Sequence, residues 1–334
     1  MEESGIPLRR YRTLSQRILL AGGAGFIGSH MADVLLGRGD EVVVVDNLCT
    51  GRHSNIAHLL DHDRFTFVHH DVVEPFPDIP DLKRPFDAVL DLASPASPND
   101  FATMPLEILA VGSSGTRNLL EVARRDDAVF FLSSTSEVYG DPLVHPQPET
   151  YLGNVSSIGP RSCYDEAKRF SEAITMAYHR QFDLEVRIAR IFNTFGERMR
   201  PLDGRVVNTF VVQALRDESI TLHGDGSQTR SFCHVHDEVR GLISLFDSSY
   251  TQPVNIGNPV EFTMRELAEL VIELTESSSK IVEIPMPAER EGDPLQRQPD
   301  ITLAKSLLNW QPTIALRDGL QSMIEYFRSH EQIN

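Results

Sequence analysis

Cysteine is scarce in this sequence. Cys49, Cys163 and Cys233 stand far apart in 334 residues and form no CxxC pair, which excludes a disulfide framework and a zinc knuckle and fits a reducing, cytoplasmic setting. Long apolar runs are missing as well. No stretch approaches the roughly 18 apolar residues of a membrane span, and the opening MEESGIPLRRYRTLSQ lacks the apolar centre of a signal peptide. Residues 1–15 therefore read as a flexible leader on a soluble chain. Positive charge is in deficit, with 31 Lys and Arg against 48 Asp and Glu and a net charge of −17. A nucleic-acid partner is disfavoured, because affinity for polyanions rests on cationic contacts to phosphate. No metal is expected either: His69 and His70 have no ligand partners at metal-binding spacing.

What the sequence does have is an ordinary globular balance, 41% hydrophobic and 24% charged. Short apolar runs alternate with longer amphipathic segments: RILLAG, IGSHMADVLLGRG, EVVVVDN, FTFVHHDV, DAVLDLA, VFFLSS and EVRIARIF. Strands buried on both faces read as continuous apolar runs, as Val42 to Val45 do, and the rhythm predicts an α/β, Rossmann-type doubly wound parallel sheet. LEILAVGSSGTRNLLEVARR and YDEAKRFSEAITMAYHRQF are long and periodic enough to be crossover helices. After Asn193 the rhythm breaks. A dinucleotide-binding domain over 16–193, rejoined at about 231–258, is expected beside a smaller mixed α/β C-terminal substrate lobe built from 194–230 and 259–330.

LLAGGAGFIGSH follows the first predicted strand and opens the first helix, the context a glycine-rich dinucleotide loop requires. Gly22, Gly25 and Gly28 leave backbone N–H groups open to a pyrophosphate at the helix N-terminus, with Phe26 and Ile27 inside the same loop. Asp46 ends the second strand near the spacing at which a carboxylate accepts hydrogen bonds from ribose hydroxyls, so NAD is preferred to NADP. Asn47 follows it; Asp71 and Val72 are expected beside the adenine, and Leu92 and Ala93 at the end of the fourth strand.

Tyr164 and Lys168 form YxxxK, and at i and i+4 on a helix they share a face. The ammonium is expected to lower the pKa of a phenol that is otherwise a poor base at neutral pH. Thr135, at the end of VFFLSS, is expected to face the same crevice.

These residues resemble the extended short-chain dehydrogenase/reductase family of nucleotide-sugar epimerases and dehydratases, and within it the decarboxylases of UDP-glucuronate. The likeness runs from about Arg17 to Arg328 and is carried by STSEVYGDP, HPQPETYLGNVSSIGPRSCYDEAKR, RIARIFNTFGERM, DGRVVNTF, GDGSQTRSF and QRQPDI. It implies NAD held throughout, a UDP-sugar substrate, and a homodimer through the two long helices. Related dehydratases carry an acidic aspartate where this chain has Ser136, and the 4-epimerases usually lack the neighbouring glutamate. Thr135-Ser136-Glu137 therefore implies decarboxylation of UDP-glucuronate to UDP-xylose through a 4-keto sugar, with a 4-epimerase, a 4,6-dehydratase or a non-catalytic NAD(H) sensor as alternatives.

By the same resemblance Tyr164 is the base at the sugar O4 and Glu137 orients the sugar or assists proton movement. Arg297 holds the carboxylate or supplies the proton. Tyr151, Asn154 and Arg161 are implied near the sugar acid, Asn193 near the diphosphate, and Arg205, Gln228 and Arg230 around the nucleotide. Two positions depart from the pattern: Asp91 stands for a usual histidine and Gly112 for a usual asparagine. Both are expected to border the cofactor cleft, where Asp91 would oppose the cofactor phosphates and Gly112 would remove an amide that buttresses the central helix.

Overall fold

A computed structural model describes residues 15–285 and 296–330. Of the expected leader only Ser15 falls among them. Seven parallel strands form the central sheet: β1 (Arg17–Ala21), β2 (Glu41–Asp46), β3 (Phe65–His69), β4 (Ala88–Asp91), β5 (Val129–Thr135), β6 (Val186–Ile191) and, at one edge, Pro253–Ile256. From that edge the order is β6, β5, β4, β1, β2, β3, so the winding reverses between β4 and β1. Crevices for ligands open at such a reversal, beyond the carboxyl ends of the strands.

Period-two alternation sorts the strand residues between two cores. Ile18, Leu20, Val42 and Val44 face one helical layer. Leu19, Ala21, Val43 and Val45 face the other. Helix Phe26–Gly37 starts where the loop after β1 ends. A longer helix runs from Pro105 through a π turn at Val111–Gly115 to Asp126 and lies against helix Ser162–Phe182. At Gly112 the two come so close that a Cβ would stand 2.7 Å from the Ala167 Cβ, and the Ser171 hydroxyl donates to the Gly112 carbonyl at 2.8 Å.

A third core belongs to the C-terminal lobe, where helices Val206–Leu215, Met264–Thr275 and Leu316–His330 bury Phe210, Val211, Leu267, Val271, Leu320 and Met323 together. Two small strand pairs complete it: Ile220–His223 runs parallel to Ile281–Ile284, and Thr229–Ser231 antiparallel to Glu261–Thr263. Between these pieces the chain returns to the main sheet through helix Val235–Asp247 and the edge strand Pro253–Ile256. Among the described residues no helix is long and apolar enough to cross a membrane.

Candidate active site

A cavity of about 580 Å³ opens between the carboxyl ends of the strands and the second lobe. One end is built from missing side chains. A Cβ on Gly22, which has φ +76°, would meet the Leu92 carbonyl oxygen at 2.5 Å, and one on Gly25 would stand 3.1 Å from the Gly22 oxygen. On Gly28 it would overlap that same oxygen. The loop therefore folds back on itself and presents backbone at the start of helix Phe26–Gly37, an arrangement suited to phosphate.

Asp46 closes this end. Its carboxylate accepts from the Ala24 amide at 3.0 Å and the Leu48 amide at 2.8 Å; burial raises its pKa, and the two amide bonds oppose the rise. Beside it the Asn47 side chain donates to Asp71 at 2.9 Å, so two strand ends are tied together. Phe26, Ile27, Val72, Leu92 and Ala93 line the same end.

The other end gathers Thr135, Glu137, Arg161, Tyr164 and Lys168. Thr135 ends β5, and its hydroxyl lies beside the Tyr164 phenol, where it favours the ionised form. Phe101 stacks on the Tyr164 ring, centroids 4.8 Å apart. Burial pushes the phenol up to about 12, against which the Thr135 hydrogen bond and the Arg205 charge pull downward. Desolvation outweighs these pulls, and the Lys168 ammonium donates to the Ser133 carbonyl at 2.8 Å. Lys168 is itself lowered by burial, an effect that the charges of Asp91 and Glu172 oppose.

Glu137 behaves in the opposite way. Burial favours its neutral form, yet the guanidiniums of Arg297 and Arg161 overcome this and hold the carboxyl at about 2. Its Oε2 accepts from Arg161 Nη2 at 2.6 Å and from Arg297 Nη2 at 3.0 Å.

Asn193, just beyond β6, and Arg205, Gln228 and Arg230 from the second lobe reach the cavity wall. Arg205 donates to the Ala96 carbonyl at 2.8 Å, Gln228 to the His223 carbonyl at 3.1 Å, and Arg230 to the Thr229 carbonyl at 2.8 Å.

Five expected positions lie elsewhere. Tyr151 stacks on Tyr139, and its oxygen accepts from the Leu143 amide at 3.0 Å. Asn154 bridges Gly140 and donates to the Asp141 carbonyl, so both residues brace the loop behind the cavity. Arg297 is 1% exposed and donates to the Ser136 carbonyl at 2.7 Å as well as to Glu137; it backs Glu137 and does not face the cavity. Asp91 does not border the cleft either, since it points into the helical layer and accepts from Thr116 Oγ1 at 2.9 Å. Gly112 lies at the helix contact, where the Ser171 hydroxyl satisfies its carbonyl.

The family model described as GDP-mannose 4,6 dehydratase matches residues 19–323. The chain belongs to the extended short-chain dehydrogenase/reductase family. Among its relatives, UDP-glucuronic acid decarboxylase 1 of Arabidopsis thaliana is 52% identical over 313 residues, covering 94% of this chain and 70% of the relative. UDP-glucuronic acid decarboxylase 5 of the same plant is 50% identical over 325 residues, covering 96% and 93%. Among solved structures, the UDP-glucuronic acid 4-epimerase of Bacillus cereus in complex with UDP-glucuronic acid and NAD superposes with a TM-score of 0.83 at 28% identity, covering 93% of this chain and 99% of that one.

As a member of this family the chain also brings residues to the cavity that motif reading passed over. Arg198, Met199 and Arg200 come from GERMRPLDGR, and Phe101 and Met104 from the short helices before the π turn. The basic density of GERMRPLDGR was the available signal for the first group. Phe101 had none, because its place on Tyr164 depends on helix packing across 63 residues of chain, 164 − 101.

Proposed function

We propose that this chain is an NAD-dependent UDP-glucuronate decarboxylase, forming UDP-xylose and carbon dioxide through a UDP-4-keto sugar. The observation that carries the reading is the juxtaposition, in one cavity, of Tyr164 and Thr135 with a Glu137 carboxylate held ionised by two guanidiniums. The serine at position 136 is far too weak an acid to expel a sugar hydroxyl, so elimination lacks its donor. The decarboxylase relatives support the same outcome.

The glycine cradle, whose backbone spacing a Cβ would destroy, and the Asp46 carboxylate fit NAD. Bound NAD supplies the hydride acceptor and donor for the sugar C4. Tyr164 takes the O4 proton, and Thr135 fixes its oxygen. Lys168 stabilises the phenolate once formed. The resulting 4-ketone is β to the C6 carboxylate, so the C5–C6 bonding pair passes into an enolate as carbon dioxide leaves, and C5 then takes a proton. Arg161 faces the sugar acid, Glu137 accepts a sugar hydroxyl, and Arg297 acts through Glu137. Asn193, Arg205, Gln228 and Arg230 hold the uridine diphosphate, the guanidiniums suiting its oxygens.

In this reading residues 16–193 with 231–258 form the dinucleotide half, and 194–230 with 259–330 the UDP-sugar half, of which 286–295 lie outside the described residues. The protein works in the cytoplasm, a setting the three free cysteines support. It forms a homodimer across the two long helices, where Leu106, Leu109 and Phe170 are exposed.

Incubation of the purified, NAD-loaded protein with UDP-glucuronate is expected to release one carbon dioxide and one UDP-xylose per turnover with no net NADH. UDP-galacturonate without gas would replace the reading by epimerisation. Binding without turnover on any UDP-sugar would make the chain a sensor.

A further inference from the structure

Behind the cavity wall, the strand Thr194–Phe195 pairs with Cys233–His234, and one carboxylate meets two imidazoles at that junction. Glu197, His234 and His236 present ligand atoms that all lie within 4.8 Å of one another. His234 Nε2 stands 3.4 Å from Glu197 Oε2 and 3.3 Å from the Ser322 hydroxyl. Glu197 Oε2 is buried, and its polar neighbours are the His234 ring and the Ser322 hydroxyl, so the carboxylate is already aimed at an imidazole nitrogen that could share a cation with it. His236 is exposed, leaving that side open to solvent.

The surroundings are arranged to keep the three groups together. Gly196 has φ +146°, and a Cβ there would meet the Val235 side chain at 2.7 Å, so the loop is packed hard onto the start of helix Val235–Asp247. His30 Nε2 pairs with the Glu197 carbonyl at 3.1 Å. A carbonyl only accepts, so this nitrogen carries the proton and positions the Glu197 backbone. The His30 ring also packs edge-on to His236, centroids 5.3 Å apart. The neighbouring Arg198 guanidinium is neutralised by Asp33 at 2.7 Å.

We propose that Glu197, His234 and His236 form a binding site for a first-row divalent cation of the Zn²⁺, Co²⁺ or Ni²⁺ kind, which ties the loop after Phe195 to the start of helix Val235–Asp247. Two imidazole nitrogens and one carboxylate oxygen suit these ions, whereas Mg²⁺ and Ca²⁺ want oxygen alone and Cu⁺ wants sulfur. Tetrahedral coordination with bonds of about 2.0–2.2 Å brings ligand atoms to about 3.4 Å apart, so the widest pair closes by about 1.4 Å, which a turn of the exposed His236 ring supplies. Binding at His234 Nε2 replaces its contact with Glu197 and breaks the marginal 3.4 Å cap from the His236 amide to Nδ1. The clamp would act on the cavity wall, because Arg198, Met199 and Arg200 follow Glu197 directly and line it.

This proposal goes beyond the decarboxylase reading and is tested without turnover. The NAD-loaded full chain, stripped with a chelator, is titrated with Co²⁺ for its visible absorption and with Zn²⁺ by calorimetry; hydrogen exchange then follows the amides of 196–200. One ion per chain is expected, weakened about tenfold or more in His236→Ala and in Glu197→Gln, and slower exchange of those amides on binding in the wild type only. Replacing the surface pair in His69→Ala/His70→Ala should leave binding unchanged. Absence of binding, or equal binding in His236→Ala and Glu197→Gln, would overturn the site and leave a carboxylate–imidazole pair only.

Discussion

The two ends of the cavity are made by different kinds of sequence. At the nucleotide end, seven consecutive residues, Gly22 to Gly28, form the cradle, and it works because side chains are missing where backbone must approach backbone. At the sugar end, Glu137 is held by Arg161 and Arg297, which stand 24 and 160 residues away in the chain. A local absence can be read from a motif. A charge that is stable only because two distant guanidiniums converge on it cannot, since either arginine alone reads as surface.

Replacing Tyr164 by Phe should separate the two ends most sharply. The variant loses the group that takes the O4 proton, and kcat on UDP-glucuronate is expected to fall by about 10²–10⁴. The nucleotide end is untouched, so NAD should co-purify at the wild-type ratio. Unchanged turnover would show that the phenol is not the base.

Arg297→Ala and Arg161→Ala divide the sugar end itself. Arg297 is enclosed and partners the part-buried Glu137 carboxylate, and removing the enclosed member of such a pair costs up to about 3–5 kcal/mol, read as a lower unfolding midpoint. Arg161 has 16% of its side chain exposed and lines the cavity, so its removal should act chiefly on kcat/KM. The pH dependence has a definite sign. Glu137 is held at about 2 in the fold against an ordinary 4.5, so its contribution to stability is present above the ordinary value and fades as pH falls from there toward 2. Arg297→Ala should flatten that acid loss. If both variants unfold alike and the acid limb is unchanged, the two arginines do not play distinct parts.

Gly28→Ala probes the opposite end with one methyl. The added Cβ overlaps a backbone oxygen that no rotamer can move, at a cost of about 1–3 kcal/mol. Bound NAD should drop while the sugar end stays folded. NAD content equal to wild type would mean that the cradle tolerates a side chain.

These contrasts explain what could be read in advance. The sheet was legible because strands buried on both faces must be continuously apolar, and RILLA and VVVV are. Tyr164 and Lys168 were legible because helical spacing alone puts them on one face. Tyr151 and Asn154 stand outside the cavity lining because their partners, Tyr139 and Gly140, fix a loop whose path no local signal sets. Arg297 was expected to face the substrate. Its burial behind Glu137 depends on a segment that returns to the sheet only after the whole second lobe has been built.

The resemblance puts Asp91 at the border of the cofactor cleft, and its neighbours Leu92 and Ala93 do line it. Successive strand side chains point to opposite faces, and its carboxylate turns into the helical layer, 2% exposed, to meet Thr116. There it becomes a counter-charge for Lys168, whose proton affinity burial lowers and Asp91 restores in part. Asp91→Asn removes that support, so Lys168 should lose its proton at lower pH than in the wild type. The other groups acting on it are the Glu172 carboxylate and the Ser133 carbonyl. The alkaline limb of the kcat profile is therefore expected to move toward neutrality, with less than about a tenfold change at pH 7. An alkaline limb that stays in place would show that Asp91 serves only to hold Thr116, and that the sugar end draws its electrostatics from the Glu137 cluster alone.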